Sequence, residues 1–290
     1  MTYRPFDADL SGRVALVTGA NSGMGKETAR ELTRMGAEVI LGCRSTVRGD
    51  AARREITETT GSREVTVMPV DLSSLASVRA FARAFAERFP QLDVLVNNAA
   101  ASLPTREITR EGFERHWATN VLGPHLLTTL LLPALQTSGH GRIVTVSTVA
   151  AGGLDLSDTQ YDTRRFSGLG AYRASKQASR MLGWALADRL RDEPVTVNAL
   201  NPGYVVTDLT RRVGGLLKVV VVLTSFRAQT PLDGADSAIW LAASPEVEGI
   251  TGKFWNKRRE VRCRFRDEAA VEQLCTLVEQ QIAATVSAVP

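Results

Sequence analysis

The sequence predicts an α/β fold, with one doubly wound parallel sheet covered by helices on both faces. Short apolar, β-branched segments alternate with longer segments of helical periodicity along most of the 290 residues. A glycine-rich turn joins the first strand to the first helix, and no linker or internal repeat divides the chain. Such alternation favours a parallel sheet because right-handed crossovers place helices over both of its faces.

Strands are predicted wherever a short apolar run is bounded by turn residues. The first covers residues 13–18, where Val14, Ala15, Leu16 and Val17 form the continuous apolar run expected of a strand buried on both faces. Further strands are predicted over residues 38–43, 65–70, 92–97, 142–147, 195–200 and 252–255.

Helices are predicted between these strands. The first covers residues 23–35 and ends at Gly36, and the others cover residues 46–60, 75–89, 113–135, 171–191 and 232–243. A final helix, capped by Asp267, is predicted in the tail at about 267–285. We interpret residues 1–290 as a single domain, in which an irregular region at about 205–230 forms a substrate lid.

Composition excludes several classes of protein. Hydrophobic residues make up 44% and charged residues 23% of the chain, which indicates a folded soluble domain rather than a disordered or fibrous one. Three cysteines without metal-ligand spacing argue against a disulfide scaffold or a metal site and favour the reducing cytoplasm. The apolar run 216–223 is far shorter than the roughly 20 residues of a spanning helix.

The net charge of +4 does not by itself indicate a nucleic-acid-binding protein. The densest basic segment, residues 257–259, is followed at once by Glu260, and we find no recognition helix or aromatic platform. The N-terminal residues 1–10 have no apolar core, so no signal peptide is predicted. We therefore expect a soluble enzyme with a modest excess of basic residues.

The turn after the first strand has the spacing G-x-x-x-G-x-G. Gly19 permits a tight turn, Gly23 permits close approach of a pyrophosphate, and Gly25 permits close packing of the helix on the sheet. The first helical turn offers free N–H groups to phosphates. The turn therefore predicts a dinucleotide site of Rossmann type, formed by Gly19, Asn21, Ser22, Gly23, Met24 and Gly25. An ATP-binding loop is excluded by Ala20 and Glu27.

Arg44 follows the second strand, where proteins that bind NAD carry an acidic residue for the ribose 2′-hydroxyl. An arginine at this position can bind a 2′-phosphate, which favours NADP(H), although a solvated arginine is the alternative.

Further motifs occur in a fixed order on the predicted elements. They are Asp71-Leu72, Asn97-Asn98-Ala99-Ala100, Asn120, Tyr172 with Lys176, and Asn201-Pro202-Gly203. With the glycine turn they make the chain, from about residue 12 to 255, resemble the short-chain dehydrogenase/reductase family. Residues 42–45, the long segment before Tyr172 and residues 244–253 are most similar to the retinol dehydrogenase-like branch. That resemblance implies NADP(H) and a hydrophobic substrate.

The resemblance also implies cofactor contacts. Asp71 and Leu72 are expected at the adenine, Asn98 and Ala99 on the adenosine side, and Val121 near the ribose. The nicotinamide is expected to contact Pro202, Gly203, Val205 and Thr207. Asp71 could instead be a helix N-cap and Asn98 a turn former. Ala100 replaces the usual glycine, which should not abolish binding.

Tyr172 and Lys176 are separated by four residues, which places both side chains on one face of a helix. A lysine ammonium and an oxidised nicotinamide favour a phenolate, so we expect a lowered pKa for Tyr172 and a role as acid or base. The family resemblance adds that Lys176 holds the nicotinamide ribose and that Asn120 joins a water-mediated proton relay. It places a serine hydroxyl at the end of the fifth strand, where alignment selects Thr148, with Ser147 as the alternative.

The predicted activity is NADP(H)-dependent interconversion of a carbonyl and an alcohol on a hydrophobic substrate. Segments 149–171 and 205–230 are expected to shape the pocket, and the apolar run 216–223 can be lid, core or interface. Redox-neutral chemistry and a non-catalytic NADP-binding regulator are the alternatives. Relatives often form homodimers through their long helices, and the arginine-rich composition favours a bacterial enzyme of secondary metabolism.

Overall fold

The computed structural model describes residues 2–203 and 229–285. In this part of the chain eight strands form one sheet in the order β3-β2-β1-β4-β5-β6-β7-β8, and every pair is parallel except the last. The strands are β1 (Val14–Thr18), β2 (Glu38–Cys43), β3 (Val65–Pro69), β4 (Val94–Asn97), β5 (Gly141–Val146), β6 (Val195–Asn201), β7 (Lys253–Asn256) and β8 (Arg259–Glu260). The predicted doubly wound α/β fold is confirmed.

Helices cover both faces of this sheet. On one face lie α1 (Gly23–Arg34), α2 (Thr46–Thr60) and α6 (Pro231–Ala243). On the other lie α3 (Leu75–Arg88), α4 (Arg115–Thr137), α5 (Gly168–Arg189) and α7 (Glu268–Ala284). Adjacent strand residues pack into opposite layers: Ile40 enters the core under α3 to α5, whereas Val39 and Leu41 enter the other. This two-sided burial explains why the strands are continuous apolar runs.

Helix α4 is interrupted by a π-helical turn, Ala118–Leu122, which contains Asn120. The sequence predicted this helix from residue 113, but it begins at Arg115. Glu114 has an extended backbone, and its side chain accepts a hydrogen bond from the Trp117 N–H at the first turn. Periodicity does not reveal such a cap, because glutamate is not a usual capping residue.

The C-terminal part contains a short strand, β8, that was not predicted. Lys257 and Arg258 both adopt positive φ angles, 56° and 59°, and connect β7 to the short antiparallel β8. Neither is a glycine or asparagine, so the turn carries no usual sequence signal. The tail helix is present as α7, and the Asp267 side chain accepts from the Ala270 N–H as its N-cap. Residues 204–228, which contain nearly all of the expected lid, lie outside the described residues.

Among the described residues, only α4 is long and apolar enough to span a membrane by length and composition, with a mean hydropathy of 1.2 in its most apolar window. About 56% of that window is buried inside the protein. Core helices of globular proteins have the same length and composition.

Candidate active site

The carboxyl ends of β1 and β4 are joined where the strand order reverses. Thr18 Oγ1 accepts hydrogen bonds from the backbone N–H groups of Asn98 and Ala99, at 3.0 and 3.1 Å. The Asn98 side-chain amide donates to the Thr18 carbonyl at 2.8 Å. Asn98 therefore connects two parallel strands, at the position where doubly wound proteins bind their ligands.

The glycine turn between β1 and α1 has the geometry of an anion cradle. Gly19 and Gly23 have positive φ angles of 68° and 56°. A Cβ at Gly25 would lie 2.6 Å from the Gly19 carbonyl oxygen, so only glycine fits there. Ser22 precedes the helix without capping it, and the first turn holds no acid. The first-turn N–H groups thus remain free for a phosphate, which fits a dinucleotide.

A cleft of about 410 Å³ runs over these strand ends. Most predicted cofactor residues line it: Gly19, Asn21, Ser22, Gly23, Met24, Gly25, Arg44, Asp71, Leu72, Asn98 and Ala99. Val121 does not. It is only 1% exposed and lines a separate cavity, so its side chain is not directed into the cleft.

Two arginines lie at the β2 end of this cleft. Arg44 follows β2, as predicted, and Arg48 lies in the first turn of α2; both are exposed. Ser45 caps α2 by accepting from the Arg48 N–H at 3.4 Å. Arg48 was not predicted, although a second arginine close after Arg44 in the sequence was a usable signal.

Asp71 is part of the cleft wall and is not a helix cap. Its carboxylate accepts hydrogen bonds from the Ser73 N–H at 2.9 Å and from the Ser73 hydroxyl at 2.7 Å. The N-cap of α3 is Ser74, three residues later. The alternative interpretation of Asp71 as an N-cap is therefore wrong.

Asn120 holds the loop that follows β4. Its side-chain oxygen accepts from the Ala101 N–H at 2.7 Å, and its amide donates to the Ala101 carbonyl at 3.0 Å and to the Ser175 hydroxyl at 2.9 Å. Nearby, the buried His116 accepts from the Leu103 N–H at 2.9 Å and hydrogen-bonds the buried Glu114 carboxylate at 2.7 Å. Two side chains of α4 and its cap thus fix the loop along the cleft.

Tyr172 and Lys176 lie on one side of α5, with the Lys176 ammonium nitrogen 5.8 Å from the centre of the Tyr172 ring. Lys176 donates a hydrogen bond of 2.7 Å to the Val146 carbonyl at the end of β5. Burial lowers the pKa of Lys176 to about 8.

The predicted lowering of the Tyr172 pKa is not observed in the protein by itself. Burial raises the pKa of Tyr172 above its ordinary value. The structure directs the Lys176 ammonium to the Val146 carbonyl. The expected lowering also counted the charge of an oxidised nicotinamide, so it stays a prediction for the cofactor-bound protein.

Ser147 and Thr148, which sequence alone could not separate, have different surroundings. Ser147 is 2% exposed, and its hydroxyl donates to the Lys176 carbonyl at 3.3 Å. Thr148 is partly exposed, and its hydroxyl accepts from the Ala150 N–H at 3.2 Å, so its proton is free to bind another group. The structure therefore offers the Thr148 hydroxyl as the available donor.

A second cavity, of about 50 Å³, lies behind Lys176. Its walls include Asn97, Asn120, Lys176 and His125. The Asn97 side-chain oxygen is buried and has no hydrogen-bond partner among the described residues. A polar cavity of this size can accommodate water.

The remaining predicted residues are only partly covered. Pro202 and Gly203 follow β6, and Gly203 has a φ of 83°. Val205 and Thr207 lie outside the described residues. Within the described ranges, no group of three histidine, cysteine, aspartate or glutamate side chains is arranged to hold a metal ion.

Comparisons with known proteins agree with this geometry. The family model for short chain dehydrogenases matches residues 13–215. Human (Homo sapiens) retinol dehydrogenase 14 is 38% identical over 94% of this chain and 87% of its own length, and mouse (Mus musculus) polyprenol dehydrogenase is 39% identical over 93% and 80%.

Solved structures give the same result. An uncharacterised protein from Mycobacterium paratuberculosis superposes with a TM-score of 0.77 at 33% identity, covering 95% of both chains. A short chain dehydrogenase from Shigella flexneri, complexed with NADP, gives 0.68 at 26% identity and covers 88% of this chain and all of its own. The chain therefore belongs to the short-chain dehydrogenase/reductase family of oxidoreductases and is retinol dehydrogenase-like.

Proposed function

We propose that this oxidoreductase uses NADP(H) to interconvert a carbonyl and an alcohol on a hydrophobic small molecule. One observation carries the proposal: Tyr172 and Lys176 share one side of α5, and Lys176 is bound to the end of β5 beside the partly exposed Thr148 hydroxyl. This arrangement provides a proton donor and a carbonyl-binding hydroxyl at the same strand end.

The preference for NADP(H) rests on Arg44 and Arg48. Both arginines are exposed at the β2 end of the cleft, where β2 is followed by Arg44 instead of an acid. Two cations at this end favour a ribose that carries a 2′-phosphate. The relative that was solved with NADP supports the same choice.

The protein's groups have distinct roles in this proposal. The glycine turn holds the pyrophosphate, and Thr148 donates a hydrogen bond to the substrate oxygen. Because burial raises the pKa of Tyr172, its phenol remains protonated at neutral pH and can protonate the alkoxide formed on reduction. NADP(H), when bound, supplies or accepts the hydride and in its oxidised form adds the positive charge that favours a phenolate.

After Tyr172 has given up its proton, Lys176 can return a proton to it from the cavity behind Lys176. Lys176 and Asn120 both line this cavity, together with the unpartnered oxygen of Asn97. Water held by these groups would connect the ammonium to solvent without passing through the substrate pocket. This supports the expected relay and also assigns Asn120 the task of holding Ala101 in place.

The hydrophobic substrate is proposed from the relatives, which are named for retinol and polyprenol, both apolar alcohols. A cytoplasmic location and a homodimer also remain proposals. The reducing compartment is proposed from the sparse set of three cysteines in the sequence.

The test is NADPH oxidation with a panel of apolar aldehydes and ketones, followed by the absorbance of the reduced nicotinamide. We expect turnover with at least one apolar carbonyl, faster with NADPH than with NADH, and none with Tyr172→Phe. Conversion of substrate without net consumption of NADPH would instead show redox-neutral chemistry. Tight NADPH binding without any conversion would identify a regulator.

A further inference from the structure

A buried arginine contacts the backbone of the proposed catalytic threonine. Arg180 lies on α5, one helical turn after Lys176, and is only 4% exposed. Its guanidinium donates one hydrogen bond to the Thr148 carbonyl at 3.3 Å and another to the Cys263 sulfur at 3.2 Å. The guanidinium therefore joins a residue just after the end of β5 to a thiol near the C-terminal end of the sheet.

The guanidinium is held by aromatic rings and a thiol. Its central carbon lies 3.5 Å from the centre of the Phe254 ring and 5.0 Å from that of Phe265. Trp184 donates a second hydrogen bond to the Cys263 sulfur at 2.9 Å, which fixes the sulfur that Arg180 contacts. Stacking on two rings offsets part of the cost of removing this cation from water.

Burial of Arg180 is costly for stability. No carboxylate of the described chain lies within ion-pair distance of it, and its Nε atom has no hydrogen-bond partner there. Burying an ion costs several kcal/mol even after relaxation of the protein. An apolar side chain of similar volume would stabilise this position at least as well, so the contact with Thr148 calls for a functional explanation.

The peptide group between Thr148 and Val149 is held from both sides. Arg180 donates to its carbonyl, and its N–H donates to the Asn201 side chain at 3.1 Å. Asn201 is itself fixed by donating to the Asn256 side chain at 3.0 Å. Because this peptide is bonded to the Thr148 Cα, holding it fixes the backbone from which the Thr148 side chain projects.

Helix α5 contacts three consecutive residues at the end of β5. Lys176 binds the Val146 carbonyl, Ser147 binds the Lys176 carbonyl, and Arg180 binds the Thr148 carbonyl. Lys176 and Arg180 are four residues apart, so the same helical face performs both contacts. The proton-transfer lysine and the threonine are thereby placed relative to one another.

We propose that Arg180 is a positioning residue that holds the Thr148 backbone so that the Thr148 hydroxyl meets the substrate carbonyl. The assignment rests on the proposed function for its catalytic consequence, but its structural part can be measured without turnover. It also assigns a role to Cys263, whose sulfur anchors the far side of the guanidinium.

The first experiment is hydrogen–deuterium exchange of the NADPH-bound protein, comparing wild type with Arg180→Met. We expect faster exchange in residues 147–151 and unchanged exchange in α1 and the glycine turn. The control is Arg88→Met, because Arg88 also lies over an aromatic ring, Phe89 at 5.4 Å, but on α3, away from Thr148 and Cys263. Unchanged exchange at residues 147–151 in Arg180→Met would overturn the proposal.

The second experiment is a double-mutant cycle in carbonyl reduction. Arg180→Met should lower kcat about 10- to 100-fold, as expected for a misplaced catalytic group, with the KM for NADPH unchanged. In a Thr148→Ala background the same substitution should have no further effect, because the hydroxyl that it positions is gone. Equal losses in both backgrounds would show that Arg180 does not act through Thr148 and would contradict the proposal.

Two further variants cover the case in which Arg180→Met fails to fold. Arg180→Lys keeps the cation but reaches only one acceptor, and Cys263→Ala removes the anchor while leaving the arginine; each should give a smaller kcat loss and a smaller exchange increase in the same segment. If both variants have the kinetics of the wild type, the proposal is contradicted. If the exchange result holds but wild type reduces no carbonyl, the proposed function fails and the positioning of Thr148 stands.

Discussion

The nucleotide end and the catalytic end of the site are built in different ways. At the nucleotide end, glycines bring backbone close to backbone, as where Gly25 packs against the Gly19 carbonyl. At the catalytic end, side chains of α5 and α4 bind backbone carbonyls and N–H groups, as where Lys176 binds Val146 and Asn120 binds Ala101. The first end depends on the absence of side chains and the second on their exact chemistry.

This difference predicts whether a substitution affects cofactor binding or the chemical step. Added atoms at the nucleotide end should weaken cofactor binding and leave the chemical step nearly intact. Removed atoms at the catalytic end should slow the chemical step and leave cofactor binding nearly intact. Four substitutions test the division, and the largest effect is expected at the catalytic end.

Thr148→Ala removes the proposed hydrogen bond to the substrate oxygen. We expect kcat to fall about 10²- to 10³-fold, the usual loss for one donor to a developing oxyanion, with the dissociation constant of NADPH unchanged. The matched control is Ser147→Ala, whose hydroxyl is occupied by the Lys176 carbonyl. That change should cost about 1 kcal/mol of stability and little activity. The reverse pattern would assign the catalytic hydroxyl to Ser147.

Gly25→Ala places a methyl group against the Gly19 carbonyl, at 2.6 Å. Strain of about 1–3 kcal/mol should weaken NADPH binding roughly 10- to 100-fold, measured by calorimetry, with kcat at saturation largely retained. Gly183→Ala is the control, because a Cβ at that helical position meets nothing within 4 Å. It should bind NADPH normally and be slightly more stable. Equal binding by both variants would refute the close-packing account.

Lys176→Met removes a buried ammonium and should stabilise the protein while abolishing activity. The lowering of its pKa from 10.5 to about 8 implies a cost of about 3 kcal/mol at neutral pH, from which loss of the Val146 hydrogen bond subtracts about 1 kcal/mol. We therefore expect the free energy of unfolding at pH 7 to rise by about 2 kcal/mol.

The pH dependence of the free energy of unfolding tests the direction of the Lys176 pKa shift. The unfolded state binds more protons than the folded state between about pH 8 and 10.5, so wild-type stability should rise with pH there relative to Lys176→Met. Denaturant titrations of both proteins without cofactor measure this difference. A gap that is constant across that interval would show that the Lys176 pKa is not lowered.

Arg44→Ala tests a place where the nucleotide end depends on a charged side chain. Loss of a charge-assisted contact should weaken NADPH binding about tenfold and leave NADH binding unchanged. Arg48→Ala should do the same to a smaller extent, since Arg44 directly follows β2. The control is Arg53→Ala, which pairs with Asp50 at 3.3 Å outside the cleft. Equal weakening of NADPH and NADH would remove the basis for NADP preference.

The sequence predicted the nucleotide end well, because its signals are local. Glycines at fixed spacing after an apolar strand specify the turn, and Arg44 follows the same strand. Strand order and helix placement then follow from the alternation of elements. Arg48 was not predicted because it lies inside α2, beyond the strand end that carries the signal.

The catalytic end was predicted less completely, because its contacts join residues far apart in the chain. Spacing identified Tyr172 and Lys176 but not that the ammonium binds the Val146 carbonyl, nor that burial raises the pKa of Tyr172. The contact between Arg180 and Thr148 spans 32 positions and has no local pattern. Such contacts depend on the packing of α5 against β5, which sequence periodicity does not specify.

The most direct test of the central claim is deuterium transfer from NADPH labelled at the hydride position to an apolar ketone. Mass spectrometry of the alcohol product should show one deuterium on the carbinol carbon with wild type. Tyr172→Phe should still bind NADPH but form almost no product. The control Tyr3→Phe removes a hydroxyl that donates to Glu31 at 3.0 Å, outside the expected pocket segments, and should react normally. Product formed without deuterium, or at an undiminished rate by Tyr172→Phe, would contradict the account.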